Sequence, residues 1–474
     1  MRAKIKQYKA RPGGGKTTTM KSDIINTPGL HLFAAPHFLG IAEAVSDLRK
    51  AAKSGGSKLE VVEIHSKSAC QNNGRCETRI SDFVQKRHAG DHCCLVITHA
   101  SLLTIDLTIF EGWHCHMDER PANAMMSGII ASPASWPIYQ HLFRLKPIER
   151  SETHSRLMSN PEVQSRDVMA DKGLSSELRN LFARGLSPCP ILIEATSWDS
   201  IRAKACSWRS AWTLDALAPF KTVSIASSDL TESLCYLVHP VELNEHRIAA
   251  APSRAKIQIR YFDTEGGTAS SKFWESSEGE HNLDLISRRL KAHGIQFWTS
   301  NATAEGFLKA RLGSKTFLSP CCEGLNAHRD KTSVAILLSL KAQTHETQWC
   351  DEATGLTRNM ISESRESNAI YQFAQRGISR EADYRGTYDI YVYDALQAER
   401  LAAKYQADGY RDVSVEHVAL DGFEARVREK AGAKPKYATP EEREAARRKN
   451  NTKAQAVRRA NAKAKAENTK SSVA

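Results

Sequence analysis

Apolar residues along the chain fall into short runs that alternate with longer segments of helical spacing. "LHLFAAP" (30–36), "LEVVEIH" (59–65) and "CCLVITHA" (93–100) are strand-like and bounded by Gly, Pro or polar residues. Between the first two, "HFLGIAEAVSDLRKAAK" (37–53) puts Phe38, Ile41, Val45 and Leu48 on one helical face. This alternation predicts βαβ units and a parallel sheet. "FKTVSIASS" (220–228) reads as a further strand, and "KIKQYKA" near the start as a poor one, with only Ile5 and Tyr8 as good strand formers. Residues 122–215 are less regular. Within them "SSELRNLFARG" (175–185) is a short helix with a Ser cap and a Gly stop, and the stretch reads as an insertion or an elaborated connection. Near Pro252 the pattern restarts. "KIQIRYF" (256–262), "IQFWTS" (295–300), "TSVAILLSL" (332–340) and "YDIYVYD" (388–394) are strands, and "LDLISRRLKAHG" (283–294) is a helix stopped by Gly294. The expected division is a first α/β domain over 1–238 with an irregular insertion at about 122–215, a hinge at 239–252, a second α/β domain over 253–400, and a C-terminal extension over 401–474.

A length of 474 residues allows about two to four domains of ordinary size. An apolar share of 41% is low but sufficient for real cores. No apolar run reaches membrane-spanning length, and the basic N-terminus lacks an apolar core behind it. Eleven scattered cysteines fit a reduced protein better than a disulfide scaffold. The expectation is therefore a cytoplasmic, intracellular protein with no membrane partner. Charge changes the picture more. From Arg443 to the end stand ten Lys or Arg and two Glu, so the last 32 residues carry +8 of the net +12. In that tail Thr439, Pro440 and Glu442 fit an N-cap, a first-turn proline and a capping-box glutamate. Beyond them Val457 is almost the only large apolar residue, so the tail is helical on a partner or disordered. Arg447, Arg448, Arg458 and Arg459 are its candidate contacts to a polyanion, nucleic acid first.

Candidate chemistry starts at "ARPGGGKTTT" (10–19). A phosphate loop needs glycines that let backbone N–H groups point at phosphate, a lysine to reach the β and γ phosphates, and a hydroxyl for Mg²⁺. Gly13, Gly14 and Gly15 supply the bend, Lys16 the charge, and Thr17 and Thr18 the hydroxyls. About a hundred residues on, "WHCHMDERP" (113–121) offers adjacent carboxylates. Asp118 suits the metal and Glu119 the attacking water. "CQNNGRC" (70–76), with His65, His88, His92, Cys93 and Cys94 nearby, fits no paired zinc spacing, and these thiols read as buried or incidental.

"GGGKT", "FAAPHFLGIAEAV", "VITHASLL", "MDERP" and "SIASS" occur in this order over residues 5–235. The set resembles the first motor domain of a DEAD/DEAH-type superfamily 2 helicase. His37 stands where that family has Thr after Pro36, and the acidic box reads Asp-Glu-Arg-Pro. The Ser-Ala-Thr linker matches Ala226-Ser227-Ser228 or Glu194-Ala195-Thr196, the former following directly on a strand. Too few residues precede the loop for a nucleobase-reading glutamine motif. The resemblance implies an α/β chain with two RecA-like parallel-sheet motor domains, an insertion, and the basic tail. It implies ATP and Mg²⁺ as ligands, with hydrolysis between the domains. The second domain then supplies arginines, and "YQFAQRGISREADYRG" (371–386) places Gln372, Arg376 and Arg380 at i, i+4 spacing, expected on one helical face. Catalytic roles thus fall to Lys16, Asp118, Glu119, Gln372, Arg376 and Arg380, and metal binding to Thr17 and Asp118. Contacts to a nucleic-acid backbone fall to Pro36, His37, Thr98, His99, Gly324 and Asn326. The stretch "GLNAHRD" (324–330) has a looser likeness to helicase-like proteins of phages and plasmids, which favours DNA over RNA and a replication process with replication-protein partners. Two other classes compete: a packaging-type ATPase, whose nuclease would need clustered acidic ligands that the sequence after residue 250 lacks, and a nucleic-acid-binding protein whose motor has degenerated.

Overall fold

A computed structural model describes residues 4–66, 76–121, 124–131, 140–149, 151–171, 173–186, 189, 191–194, 198, 205–249, 254–264, 269, 271–320, 328–341, 350–351 and 354–423. Residues 1–425 form one compact unit and 426–474 a second, and the second lies outside the described residues. The charged tail, with Arg447, Arg448, Arg458 and Arg459, is therefore outside them too, as are Gly324 and Asn326.

The first sheet takes β1 (Ile5–Lys9), β2 (Leu30–Ala35), β3 (Glu60–Glu63), β4 (Cys93–Thr98) and β5 (His114–Asp118) from the first quarter of the chain. After the strands β6 (Met125–Ala131), β7 (Phe143–Ile148), β8 (Ser151–Ser159), β9 (Ile191–Glu194) and β10 (Ala205–Ala211), the chain returns with β11 (Thr222–Ala226) and β12 (Leu243–Arg247). The spatial order is β12-β1-β11-β5-β2-β4-β3, and each strand pair is parallel. A parallel sheet needs cover on both faces. On one face Tyr8 and Phe33 pack with Met20, Ile41, Val45 and Leu48, and on the other Leu32, Leu95 and Ile225 pack with Phe110 and Trp113. The weak-looking β1 is flanked on both sides. Its Gln7 is fully buried, and its amide nitrogen donates to the Ser227 carbonyl at 2.9 Å, which ties β1 to the end of β11.

Three expectations need correction. The 122–215 stretch is not irregular: β6 to β10 form an antiparallel sheet in the order β6-β10-β9-β8-β7, inserted between β5 and β11. Its strands are obscured because the core around Leu157 and Phe182 covers only part of the sheet, leaving strands such as "FRLKPI" largely exposed and broken by charged residues. Second, Phe38 does not share the buried face of helix Phe38–Ser54, being 40% exposed at its first turn. Third, the first sheet does not stop at 238 but gains β12, inside the segment read as a hinge, and the second reaches past 400. That second sheet joins β13 (Lys256–Asp263), β14 (Phe297–Ser300), β15 (Ser333–Leu337), β16 (Thr387–Asp394) and β17 (Val413–His417) in the order β14-β15-β16-β13-β17, again parallel. Both late strands are edge strands with mostly exposed side chains, so neither shows an apolar run.

Candidate functional site

Phosphate-loop geometry begins at two glycines. Gly13 and Gly15 have φ of 78° and 84°, a left-handed conformation that L side chains resist. Gly15 turns the chain from β1 into helix Lys16–Asn26, whose N-terminus carries no side-chain cap, so its free amides face the loop. Lys16 is buried and donates to the carbonyls of Ala10 at 2.9 Å and Arg11 at 3.2 Å, both within its own loop. Gly14 donates its N–H to the Arg11 carbonyl at 2.9 Å, which holds the bend.

The acidic pair ends β5, directly beside β11. Thr17 Oγ1 donates to Asp118 Oδ1 at 2.5 Å. Burial pushes the Asp118 carboxyl above its usual range, against the Thr17 hydrogen bond and the charges of Lys21, Lys16 and Arg376. A hydroxyl and a carboxylate side by side at a phosphate loop match the oxygen donors a Mg²⁺ ion takes, so the residues fit that ion. Glu119 follows with φ of 64°, the sole positive-φ non-glycine among the described residues. Its N–H donates to the Ala226 carbonyl at 3.1 Å, which fixes the acidic box to the end of β11. Ala226-Ser227-Ser228 therefore adjoins the site. Glu194 instead ends β9 of the inserted sheet, and residues 195–197 lie outside the described residues.

From the second sheet, Gln372, Arg376, Arg380 and Arg329 line the same cleft as Gly13, Gly15, Lys16, Thr17, Thr18, Pro36, Asp118 and Glu119, around a cavity of about 220 Å³. The arginines do not share a helical face as expected. The helix ends at Ala374, Arg376 lies in the turn after it, and Arg380 closes a short 3₁₀ turn, Ile378–Arg380. Gly377 permits this break: a Cβ there would collide with the Tyr388 hydroxyl. The Arg380 side chain reaches the phosphate loop, 3.5 Å from where a Cβ on Gly13 would stand. Burial, with Arg376 and Arg329 beside it, lowers Arg380 to about 10, and the Glu119 charge works the other way. The cleft thus presents a cluster of guanidiniums close to the glycine-rich loop.

The residues expected to touch nucleic acid are placed less simply. Pro36 lines the cleft. His37 caps helix Phe38–Ser54, accepting from Gly40 N at 3.2 Å, and Thr98 caps helix His99–Thr104, accepting from Ser101 N at 3.2 Å. The His99 side chain is a correction. It is 5% exposed, and burial lowers it to about 4, so it belongs to the core behind Asp118 and presents no ring to a bound strand. Sequence reasoning passed over Arg329, Lys21, Glu43 and Asp47, which also line the cleft. Lys21 falls one turn after Thr17, and Glu43 and Asp47 are one turn apart on their helix, so helical spacing contained that signal. Arg329 sits in a turn, where helical spacing carries no signal, and only the likeness of "GLNAHRD" pointed to its neighbourhood.

Two parallel sheets thus meet at one cleft, with a glycine-rich loop before a helix on the first side and arginines brought in from the second. No family model matches the chain, and no curated protein matches it in sequence. Among solved structures, the chain is similar to an XPD helicase at 9% identity and a TM-score of 0.45, over 88% of this chain and 96% of the other. It is similar to S. cerevisiae Dbp5 bound to RNA and ADP BeF3 at 8% identity and a TM-score of 0.38, over 89% and 86%. It is also similar to the DUF1998 helicase MrfA bound to DNA at 11% identity and a TM-score of 0.32, over 88% of this chain and 48% of that one.

Proposed function

We propose that the chain is an ATP-dependent nucleic-acid helicase or translocase. The observation that carries this reading is the single cleft in which Lys16, Thr17, Asp118 and Glu119 of the first sheet face Gln372, Arg376 and Arg380 of the second. Lys16 now spends its donors on Ala10 and Arg11 carbonyls, and an incoming phosphate would take them over. Thr17 and Asp118 would hold Mg²⁺, which neutralises phosphate charge when bound. Glu119 would orient and deprotonate the attacking water. Arg376 and Arg380 would neutralise charge growing on the transferred phosphoryl group, and only while the two sheets stand together. Hydrolysis would thus couple cleft opening to movement along a strand. Pro36, Thr98, Gly324 and Asn326 would contact its phosphates, and the tail beyond residue 440 would add affinity. The looser phage and plasmid likeness favours DNA over RNA and a replication process.

The test is ATP hydrolysis with and without single-stranded DNA and RNA. Lys16→Ala and Glu119→Gln should each lower the nucleic-acid-stimulated rate by about 10²-fold or more. An unchanged rate in both variants sinks the motor reading. Strand displacement on 3′- and 5′-tailed DNA and RNA duplexes then assigns substrate and polarity.

A further inference from the structure

Arg120 follows the acidic pair but does not line the nucleotide cleft. The left-handed backbone at Glu119 breaks the strand's alternation there, so the two neighbouring side chains serve different places. Arg120 turns to two acceptors. Its Nε stands 3.6 Å from Asp229 Oδ2, in the loop that follows β11. Its Nη2 donates to the Ser364 carbonyl at 2.5 Å, and Ser364 belongs to the second sheet's layer. All three groups are shielded: the Arg120 and Asp229 side chains are 13% and 7% exposed, and Ser364 is buried.

Each acceptor is itself held. Asp229 Oδ1 accepts from the hydroxyl of Ser227 at 3.0 Å, and the Ser227 carbonyl takes the Gln7 amide of β1. Asp229 Oδ2 has no hydrogen bond among the described residues, so the Arg120 charge is what offsets its burial. The Ser364 hydroxyl accepts from Leu234 N at 3.1 Å, a second tie between the two sheets' layers. Ser364 lies in a π-helical turn, Glu363–Ser367, set between helical segments Arg358–Ser362 and Asn368–Ala374. A π turn interrupts the ordinary carbonyl ladder and is a recurrent feature of functional sites. The same continuous helical run carries Gln372 and delivers Arg376 to the cleft. Ser364 and Gln372 are eight residues apart, about 12 Å along such a rod.

We propose that Arg120 is the positioning residue that sets the second sheet's arginines over the phosphate loop, by bridging Asp229 and the Ser364 carbonyl. It rests on the ATPase reading above. One guanidinium serves both acceptors because its donors fan out in a plane. An ammonium carries its donors on a single nitrogen and lacks the planar fork, so it matches this pair of acceptors less well. Arg120 touches no phosphate, so its loss should leave nucleotide binding to the first sheet and remove alignment of the second.

The experiment compares wild type, Arg120→Ala, Arg120→Lys and Lys16→Ala in the full chain. Arg120→Ala should lower kcat about 10- to 100-fold with KM for ATP within about threefold, and Arg120→Lys should fall between. In parallel, labels on non-natural residues at the exposed positions of Lys50 and Arg288 report the distance between the two sheets' layers, with ADP and beryllium fluoride added. Arg120→Ala should broaden that distribution relative to wild type. If wild type hydrolyses ATP, Lys16→Ala does not, and Arg120→Ala matches wild type in kcat and distance, the proposal is overturned. If wild type shows no hydrolysis, the motor reading fails. The distance distribution then decides: broadening upholds the bridge and an unchanged distribution overturns it. Should Arg120→Ala not fold, Arg120→Lys carries both measurements.

Discussion

Glu119 holds a conformation that costs a non-glycine residue about 1–2 kcal/mol. Glycine at that position removes the strain but adds about 0.5–1 kcal/mol of unfolded-state entropy to overcome. Glu119→Gly should therefore be no less stable than wild type in urea unfolding, while hydrolysis is lost. A clear loss of stability would show that the backbone is not strained for function. Arg380 is buried beside Arg376 and Arg329, with the Glu119 charge acting against theirs, and it reaches the glycine-rich loop. Arg380→Gln should weaken binding of an ATP analogue by about tenfold or more, about 1.4 kcal/mol. Equal affinity in both proteins would remove Arg380 from the site. The residue types at this site were legible because each motif needs them. The left-handed Glu119 and the arrival of Arg329 were not, since neither backbone angle nor long-range approach leaves a mark in local sequence.

Between elements, the turn after helix Asn368–Ala374 decides where the arginines point. Tyr388 Oη donates to the Ala374 carbonyl at 2.6 Å and fills the space over Gly377. Gly377→Ala should cost about 1–3 kcal/mol in denaturant unfolding and lower kcat by displacing Arg376 and Arg380. Helical spacing suggested their neighbourhood, but a break in the helix brought both to one cleft. The first sheet also carries a pH response. Burial, with His114 and His92 near, holds His31 of β2 down to about 4, and burial holds His99 at about 4 with His37 nearby. His116 of β5 lies well below its usual range, next to His31, His114 and Lys6. His31 Nε2 meets the Thr27 carbonyl at 2.8 Å and its Nδ1 meets His116 Nε2 at 3.1 Å, a pairing suited to neutral rings. Folded-state values below the ordinary 6.5 mean that the unfolded chain takes up protons first as pH falls. Stability present above pH 6.5 should decline steadily toward about 4, and His99→Gln should flatten that limb in urea midpoints measured across this range. A limb of unchanged slope would mean that His99 takes up its proton at the same pH in the folded and unfolded chains.

At the scale of the whole molecule, the basic tail is the strongest charge feature and lies in the second compact unit. If it neutralises phosphates, deleting residues 440–474 should weaken single-stranded DNA binding and flatten its salt dependence, by about 0.7 in log–log slope for each phosphate the tail neutralises. An unchanged slope removes the tail from the interface. The body acts through its two parallel sheets, each offering one half of the cleft.

Local sequence determined that parallel sheets would form and which residue types could serve a cleft between them. Apolar runs buried on both faces and a glycine-rich loop before a helix follow from short-range sterics and solvation. Tertiary structure alone decided the rest: β12 and β17 as edge strands, the regular sheet within 122–215, the burial of His99, and the convergence of Arg329, Arg376 and Arg380 on Gly13. Those outcomes depend on which distant surfaces meet. Burial and charge at such a meeting are set by the partner surface, which no stretch of neighbouring residues encodes.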